Sequence, residues 1–290
     1  MGECWGRTTG VYSARKEVRH MNRAEVDGMT LEYEESGSGD PVVFIHGAHM
    51  GDTYRPLMGE PALKNYRLIG YHRRGYAGSS KPAGAMSIST HAADCLALLR
   101  KLDALPAHIV GHSSGAIMGI QLALDAPEAV RSLALLEPAL LDVPSGPALV
   151  EALGASMPLY EAGDRHGAVN EFLRAVCGED YRRAIETQLP GALDQAAADA
   201  DSFFTGEFPA IAEWAFTKED AARIRQPVLS VLGAETGAAI GLPVYTEIHE
   251  RVLEWFPNAK PFVLPRAAHL LQVENPHDMA EALAAFLPRN

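Results

Sequence analysis

Cysteine is scarce in this sequence: three in 290 residues, at Cys4, Cys95 and Cys177, with no C-x-x-C pair. That spacing offers neither a disulfide framework nor a zinc cluster, and it suits packing roles in a reducing compartment, so a cytoplasmic location is expected. No stretch reaches about 18 uninterrupted apolar residues, which excludes a membrane-spanning helix. The first twenty residues mix Glu3, Arg7, Arg15, Lys16, Glu17 and Arg19 without an apolar run and resemble neither a secretory signal nor an anchor. Residues 1–22 are expected to form a flexible extension, with Met21 a candidate original start. Positive charge is also short, with 25 Lys and Arg against 37 Asp and Glu, a formal net charge of −12. Nucleic acid and anionic membrane surfaces are therefore poor partners, and a neutral or weakly charged small molecule is the expected one. A homo-oligomer stays open.

Two further absences bear on cofactors. There is no H-E-x-x-H, and His46, His49 and His112 do not have the compact spacing of a hydrolytic zinc site, so no metal is expected. No G-x-G-x-x-G follows the first long strand, so no dinucleotide cofactor is expected either. Internal repeats and low-complexity tracts are missing as well.

What is present is an alternation. From Pro41 onward, short apolar runs at Val42–Ile45, Arg67–Tyr71, Ala107–Val110, Ser132–Leu136, Val228–Leu232 and Pro261–Leu264 read as strands. Segments of helical period lie between and after them, at about Ser89–Leu102, Ser114–Asp125, Pro243–Trp255 and Pro276–Phe286. This pattern predicts an α/β fold with a mostly parallel central sheet flanked by helices. Ala24–Val26 and Leu31–Glu35 read as an antiparallel hairpin turning at Asp27-Gly28. Residues 138–226 lack a convincing strand and read as a helical cap inserted into a core of residues 23–137 and 227–290. Aromatics gather in that cap, at Tyr160, Phe172, Tyr181, Phe203, Phe204, Phe208, Trp214 and Phe216.

The run His108-Ile109-Val110 leads into Gly111-His112-Ser113-Ser114-Gly115 and then a helix, which places a G-x-S-x-G motif on a strand-to-helix turn. Such a turn lifts the serine hydroxyl out of the sheet and leaves the following backbone N–H groups facing whatever it attacks. Gly111 and Gly115 fit because neighbouring chain must pass close to the turn. A serine hydroxyl needs an adjacent base, oriented in turn by a carboxylate. His269 is the candidate base, since it follows the final strand, downstream of Ser113.

Several motifs together resemble the α/β-hydrolase fold of the cap-bearing kind, over nearly all of residues 24–287. His46-Gly47-Ala48 resembles the family's H-G-x oxyanion loop. His72-Arg73-Arg74-Gly75-Tyr76-Ala77-Gly78-Ser79 resembles its D-x-R-G-x-G-x-S segment, with His72 and Ala77 departing from it. Gln226–Gly233 resembles the strand that usually ends in the acid, and His269 with Glu274-Asn275-Pro276 resembles the histidine loop. The resemblance implies Ser113 as nucleophile, His269 as base, and the N–H groups of Ala48 and Ser114 as oxyanion donors.

The acid departs from the usual place, three residues beyond Gly233, where this chain has Thr236. Two glutamates could replace it, Glu137 and Glu235. Resemblance to zearalenone-type lactonases and some haloalkane dehalogenases favours Glu137, at the end of the strand after the nucleophile helix. Physical reasoning agrees, because an apolar strand ending in a carboxylate would strand a charge without a partner. Glu235 is the alternative acid. His49, Phe203 and Trp214 are the candidate substrate-binding residues.

The expected function is a cofactor-free serine hydrolase acting on a carboxylic ester or lactone of a hydrophobic small molecule. A non-hydrolytic receptor on the same fold, or a carbon–carbon hydrolase or perhydrolase, is the alternative. Serine at position 113 speaks against haloalkane dehalogenase chemistry, which needs a carboxylate nucleophile.

Overall fold

A computed structural model describes residues 21–81 and 86–287. The expected extension lies outside them except for its last two residues, and Asn22 already begins a strand. Eight strands form one sheet: β1 (Asn22–Val26), β2 (Met29–Gly37), β3 (Asp40–Ile45), β4 (Tyr66–Tyr71), β5 (Ala107–His112), β6 (Val130–Leu136), β7 (Val228–Gly233) and β8 (Ala259–Leu264). Their order is β1-β2-β4-β3-β5-β6-β7-β8, antiparallel across the first two pairings and parallel from β4 to β8. The hairpin joining β1 to β2 turns at Asp27 and Gly28, both with positive φ, which matches the right-handed twist of the strands it connects.

Side chains alternate between two buried faces. Val43, Ile45, Ile109, Leu133 and Leu135 face the helices Ile88–Lys101, Ser114–Asp125 and Val244–Trp255, while Val42, Phe44, Val110, Ala134 and Leu136 face Pro276–Phe286. Burial on both faces explains why these strands read as nearly continuous apolar runs. Helix starts follow local chemistry: Ser87 Oγ accepts from Thr90 N, and Asn275 accepts from Asp278 N with Pro276 in the first turn.

The chain leaves β3 towards β4 on one side, while β5 lies on the other. That reversal opens a crevice beyond the carboxyl ends of β3 and β5, where open α/β sheets bind ligands. Between β6 and β7 every regular element among the described residues is helical, from Gly146–Gly154 to Lys218–Arg223. This layer has no separate core. Leu149, Ala168, Phe172 and Phe203 belong to the same buried cluster as Ile45, Met50 and Ile117.

His72, standing where the family motif has aspartate, lies between two carboxylates. Nδ1 is 2.9 Å from Glu32 Oε2 and Nε2 is 2.7 Å from Asp52 Oδ1. Burial disfavours its charge, but the bonds to Asp52 and Glu32 outweigh burial and raise its pKa to about 9.

Candidate active site

Ser113 follows β5 with φ 53° and ψ −120°, a conformation rare for a residue with a side chain. It persists because neighbours hold both of its backbone groups: Ser113 N donates to Leu136 O at 2.9 Å, and its carbonyl accepts from Ala116 N and Ala139 N. The flanking glycines are forced by contact. A Cβ on Gly115 would sit 2.1 Å from the Ile45 carbonyl oxygen, and one on Gly111 would sit 2.5 Å from Ala116 Cα.

Glu137 is the first residue beyond β6, also at positive φ, and is 1% exposed. Its Oε2 lies 2.6 Å from His269 Nδ1. Its Oε1 accepts from Gly233 N at 2.8 Å and from Thr236 Oγ1 at 2.7 Å. Thr236, at the position where an aspartate was expected, thus donates to the Glu137 carboxylate instead. Burial pushes Glu137 upward against these donors and pushes His269 downward, so the ring rests neutral and can accept a proton.

With Nδ1–H given to Glu137, His269 Nε2 is the bare nitrogen. Tyr245 stacks on the ring at 4.4 Å between centroids, and its hydroxyl is 3.3 Å from Nε2. His112 donates Nε2–H to the His269 carbonyl at 2.7 Å, which ties the loop carrying His269 to the turn at Ser113. Ser113, His269, His112, Ala48, Phe172 and Cys177 are among the residues around one void of about 20 Å³. That is room for about one water. Ser114 opens the helix Ser114–Asp125, where first-turn N–H groups have no acceptor within the helix.

The remaining candidates separate. His49 is buried against Phe172, Phe203 and Phe204 at 4.8, 4.1 and 5.4 Å, with neither ring nitrogen hydrogen-bonded, and burial followed by the Arg73 charge lowers its pKa to about 3. Phe203 thus meets the loop after β3 through His49. Trp214 lies elsewhere: its Nε1–H donates to Gln121 on the far half of the helix Ser114–Asp125, and it lines a separate apolar cavity of about 320 Å³ with Leu140, Phe208, Phe216 and Trp255. Glu235 is exposed and lines an outer polar cleft of about 490 Å³ with Arg183, Arg266 and Glu274. His46, His49 and His112 do not converge, and among the described residues no group of three or more His, Cys, Asp or Glu side chains could hold a metal ion. Sequence reasoning missed Tyr245, the hydrogen bond that Thr236 gives Glu137, and the buried ion pair of Arg73 with Glu207, whose partners are distant in the chain.

Residues 40–276 match the family model described as alpha/beta hydrolase fold. The chain belongs to that family. Hydrolase chemistry is the activity that membership supports. The chain is 28% identical over 280 residues to the dihydrolipoyllysine-residue acetyltransferase component of the acetoin cleaving system of Pseudomonas putida, covering 92% of this chain and 69% of that protein. It is 35% identical over 122 residues to a fluoroacetate dehalogenase of Burkholderia sp, covering 39% of each. Among solved structures, the enol-lactonase from Burkholderia xenovorans LB400 superposes with a TM-score of 0.74 at 21% identity, over 91% of this chain and 99% of that one. Among the described residues no helix is long and apolar enough to cross a membrane.

Proposed function

We propose that this chain is a serine hydrolase that cleaves a carboxylic ester or lactone of a hydrophobic small molecule through an acyl-enzyme. The observation that carries this reading is the Glu137–His269 hydrogen bond of 2.6 Å beside the void that Ser113 lines. Ser113 Oγ attacks the ester carbon as its proton passes to His269 Nε2, and Glu137 stabilises the imidazolium that forms. The developing oxyanion is held by the N–H groups of Ala48 and Ser114. His269 then protonates the leaving alkoxide, and a water deprotonated by the same ring releases the acid. This set supplies nucleophile, base and charge stabilisation without a cofactor.

Access requires movement, because a void of about 20 Å³ cannot hold an ester. Phe172, Leu173 and Val176, all from the helix Arg165–Cys177, line it on the cap side. Their displacement would receive an apolar group and expose His49, whose unpaired ring nitrogens suit a polar atom of the substrate. The dehalogenase similarity carries less weight, since position 113 is serine.

The test is turnover of a panel of short p-nitrophenyl esters and lactones. Ser113→Ala is expected to abolish it, and a fluorophosphonate is expected to label Ser113 alone. Tight ligand binding with no hydrolysis across the panel would favour a receptor. Cleavage of diketones, or peracid formation from peroxide, in preference to ester hydrolysis would redirect the substrate assignment.

A further inference from the structure

Beneath the nucleophile turn lies a buried polar assembly that the proposed reaction does not use. Arg73 and Glu207 pair at 3.0 Å, exposed by 1% and 0% at their side chains. Glu207 Oε1 also accepts from Ser114 Oγ at 2.6 Å, and Oε2 accepts from the Tyr76 hydroxyl. Arg73 Nη2 donates to the carbonyl of Gly47 at 2.9 Å. The same carbonyl lies 2.7 Å from His46 Nδ1, while His46 Nε2 accepts from Arg73 N at 3.1 Å. Nε2 is therefore the bare nitrogen of His46, and Nδ1–H is the donor to Gly47.

These bonds converge on the Gly47–Ala48 peptide, which lines the void, and on the side chain of Ser114, the residues that carry the two proposed donors. The Gly47 carbonyl and the Ala48 N–H belong to one planar peptide, so donors fixed on the oxygen set the direction of the N–H at the other end. A guanidinium on that oxygen also polarises the peptide and strengthens the N–H as a donor. The second donor residue, Ser114, is held by its own hydroxyl. Both arms are tied to one carboxylate, and that carboxylate comes from the helical layer, not the sheet.

The local fold explains how Glu207 reaches inward. It ends the single π-helical turn Ser202–Glu207, in which Phe208 N bonds Phe203 O, five residues back. The same segment is docked along the 73–81 loop: Asp199 accepts from Ala77 N at 2.8 Å and pairs with Lys81, and Ser202 Oγ donates to Gly75 O at 2.6 Å.

We propose that Glu207 is a positioning residue that, through Arg73 and Ser114, aligns both oxyanion donors and makes their alignment depend on a seated cap. The inference rests on the serine-hydrolase reading above. Bound substrate that seats the cap completes the hole; an unseated cap leaves Arg73 and Ser114 without their common anchor.

The experiment compares wild type, Ser113→Ala, Glu207→Gln and the double variant Arg73→Met/Glu207→Leu. The double variant removes the buried charges together and so keeps the fold from carrying one unpaired ion. For each protein, kcat and KM on an ester are measured per folded active site, with the affinity for an aryl boronic acid whose tetrahedral adduct fills the oxyanion position. Both Glu207 variants are expected to lose about 10- to 100-fold in kcat, less than deletion of a whole donor, with KM little changed and boronate affinity falling in parallel. A folded double variant with wild-type kcat and boronate affinity overturns the proposal. So does a fall in kcat with boronate binding intact, because the loss then lies outside the hole. Wild type that hydrolyses no ester, or Ser113→Ala as active as wild type, overturns the underlying reading instead.

Discussion

The half of the site built by strand ends and the half built by the helical layer above it follow different rules. Ser113, Glu137 and the β7 end at Gly233 sit where consecutive parallel strands stop, and their backbones are locked to one another: Ser113 to Leu136, Glu137 to Val231. The Glu137 carboxylate there is partnered on both oxygens, by His269 on one and by Gly233 N and Thr236 on the other. On the other side Phe172, Phe203 and Phe204 enclose His49 by packing alone, and its ring nitrogens stay unpaired. Directional bonds fix the Ser113 backbone and the Glu137–His269 pair, whereas apolar packing constrains direction less. The first half is suited to chemistry and the second to admission and fit. Glu207 crosses from the second half towards the first, bonding Arg73 and Ser114.

This contrast is sharpest for the acid. Glu137→Gln is expected to lower kcat by about 10⁴-fold, as loss of the orienting carboxylate does in serine-protease triads, while Glu235→Gln leaves it nearly unchanged. The reverse ranking in steady-state kinetics would move the acid to the outer loop. For the wild type, kcat/KM is expected to fall toward acid pH as the buried Glu137–His269 pair takes up a proton, burial lowering the His269 pKa and raising that of Glu137.

Phe172→Ala tests the other half. Truncating this buried ring is expected to destabilise the fold by about 3–5 kcal/mol, read from denaturant melts, and to alter KM more than kcat per folded enzyme. A kcat loss matching that of Glu137→Gln would erase the distinction between the halves.

A smaller effect belongs to His72, away from both. Its folded pKa of about 9 exceeds the unfolded value near 6.5, so its contribution is complete below about pH 6.5 and is lost as pH rises through about 9. Thermal melts from pH 6 to 10 should show that decline in wild type and a weaker one in His72→Asn; matching slopes would remove His72 as the cause. The least change is expected from Trp214→Phe, which should leave ester kcat and KM near wild type because the indole lines the separate 320 Å³ cavity. A large KM change there would connect that cavity to the substrate route.

The parts of the molecule legible in the chain are those encoded by neighbours in sequence. The β-branched run before Gly111, the Asp27-Gly28 turn and the periodicity of Ser114–Asp125 each determine a local backbone shape, and the observed elements agree within a few residues. Edges were less legible: β8 begins at Ala259, not Pro261, and β6 at Val130, not Ser132, because ladder pairing extends a strand past its apolar stretch. Glu137 could be nominated as an acid from the resemblance to zearalenone-type lactonases and from the apolar strand it ends, once Thr236 stood at the usual station. Trp214 could not be placed, since an aromatic in a helical insertion packs on whichever surface the insertion meets, and here that surface includes Gln121.

Composition, period-two and helical patterning, and the motif around Ser113 were enough to expect an α/β sheet with a helical insertion and, with the family resemblance, to nominate a nucleophile, an acid and a base. Those features are local or ordinal, so a linear chain can carry them. Which carboxylate touches His269, that Thr236 serves it, and that Glu207 reaches Arg73 across 134 residues were decided only by the tertiary structure. A buried charge takes the partner that packing brings within reach, and separation along the chain places almost no constraint on that choice.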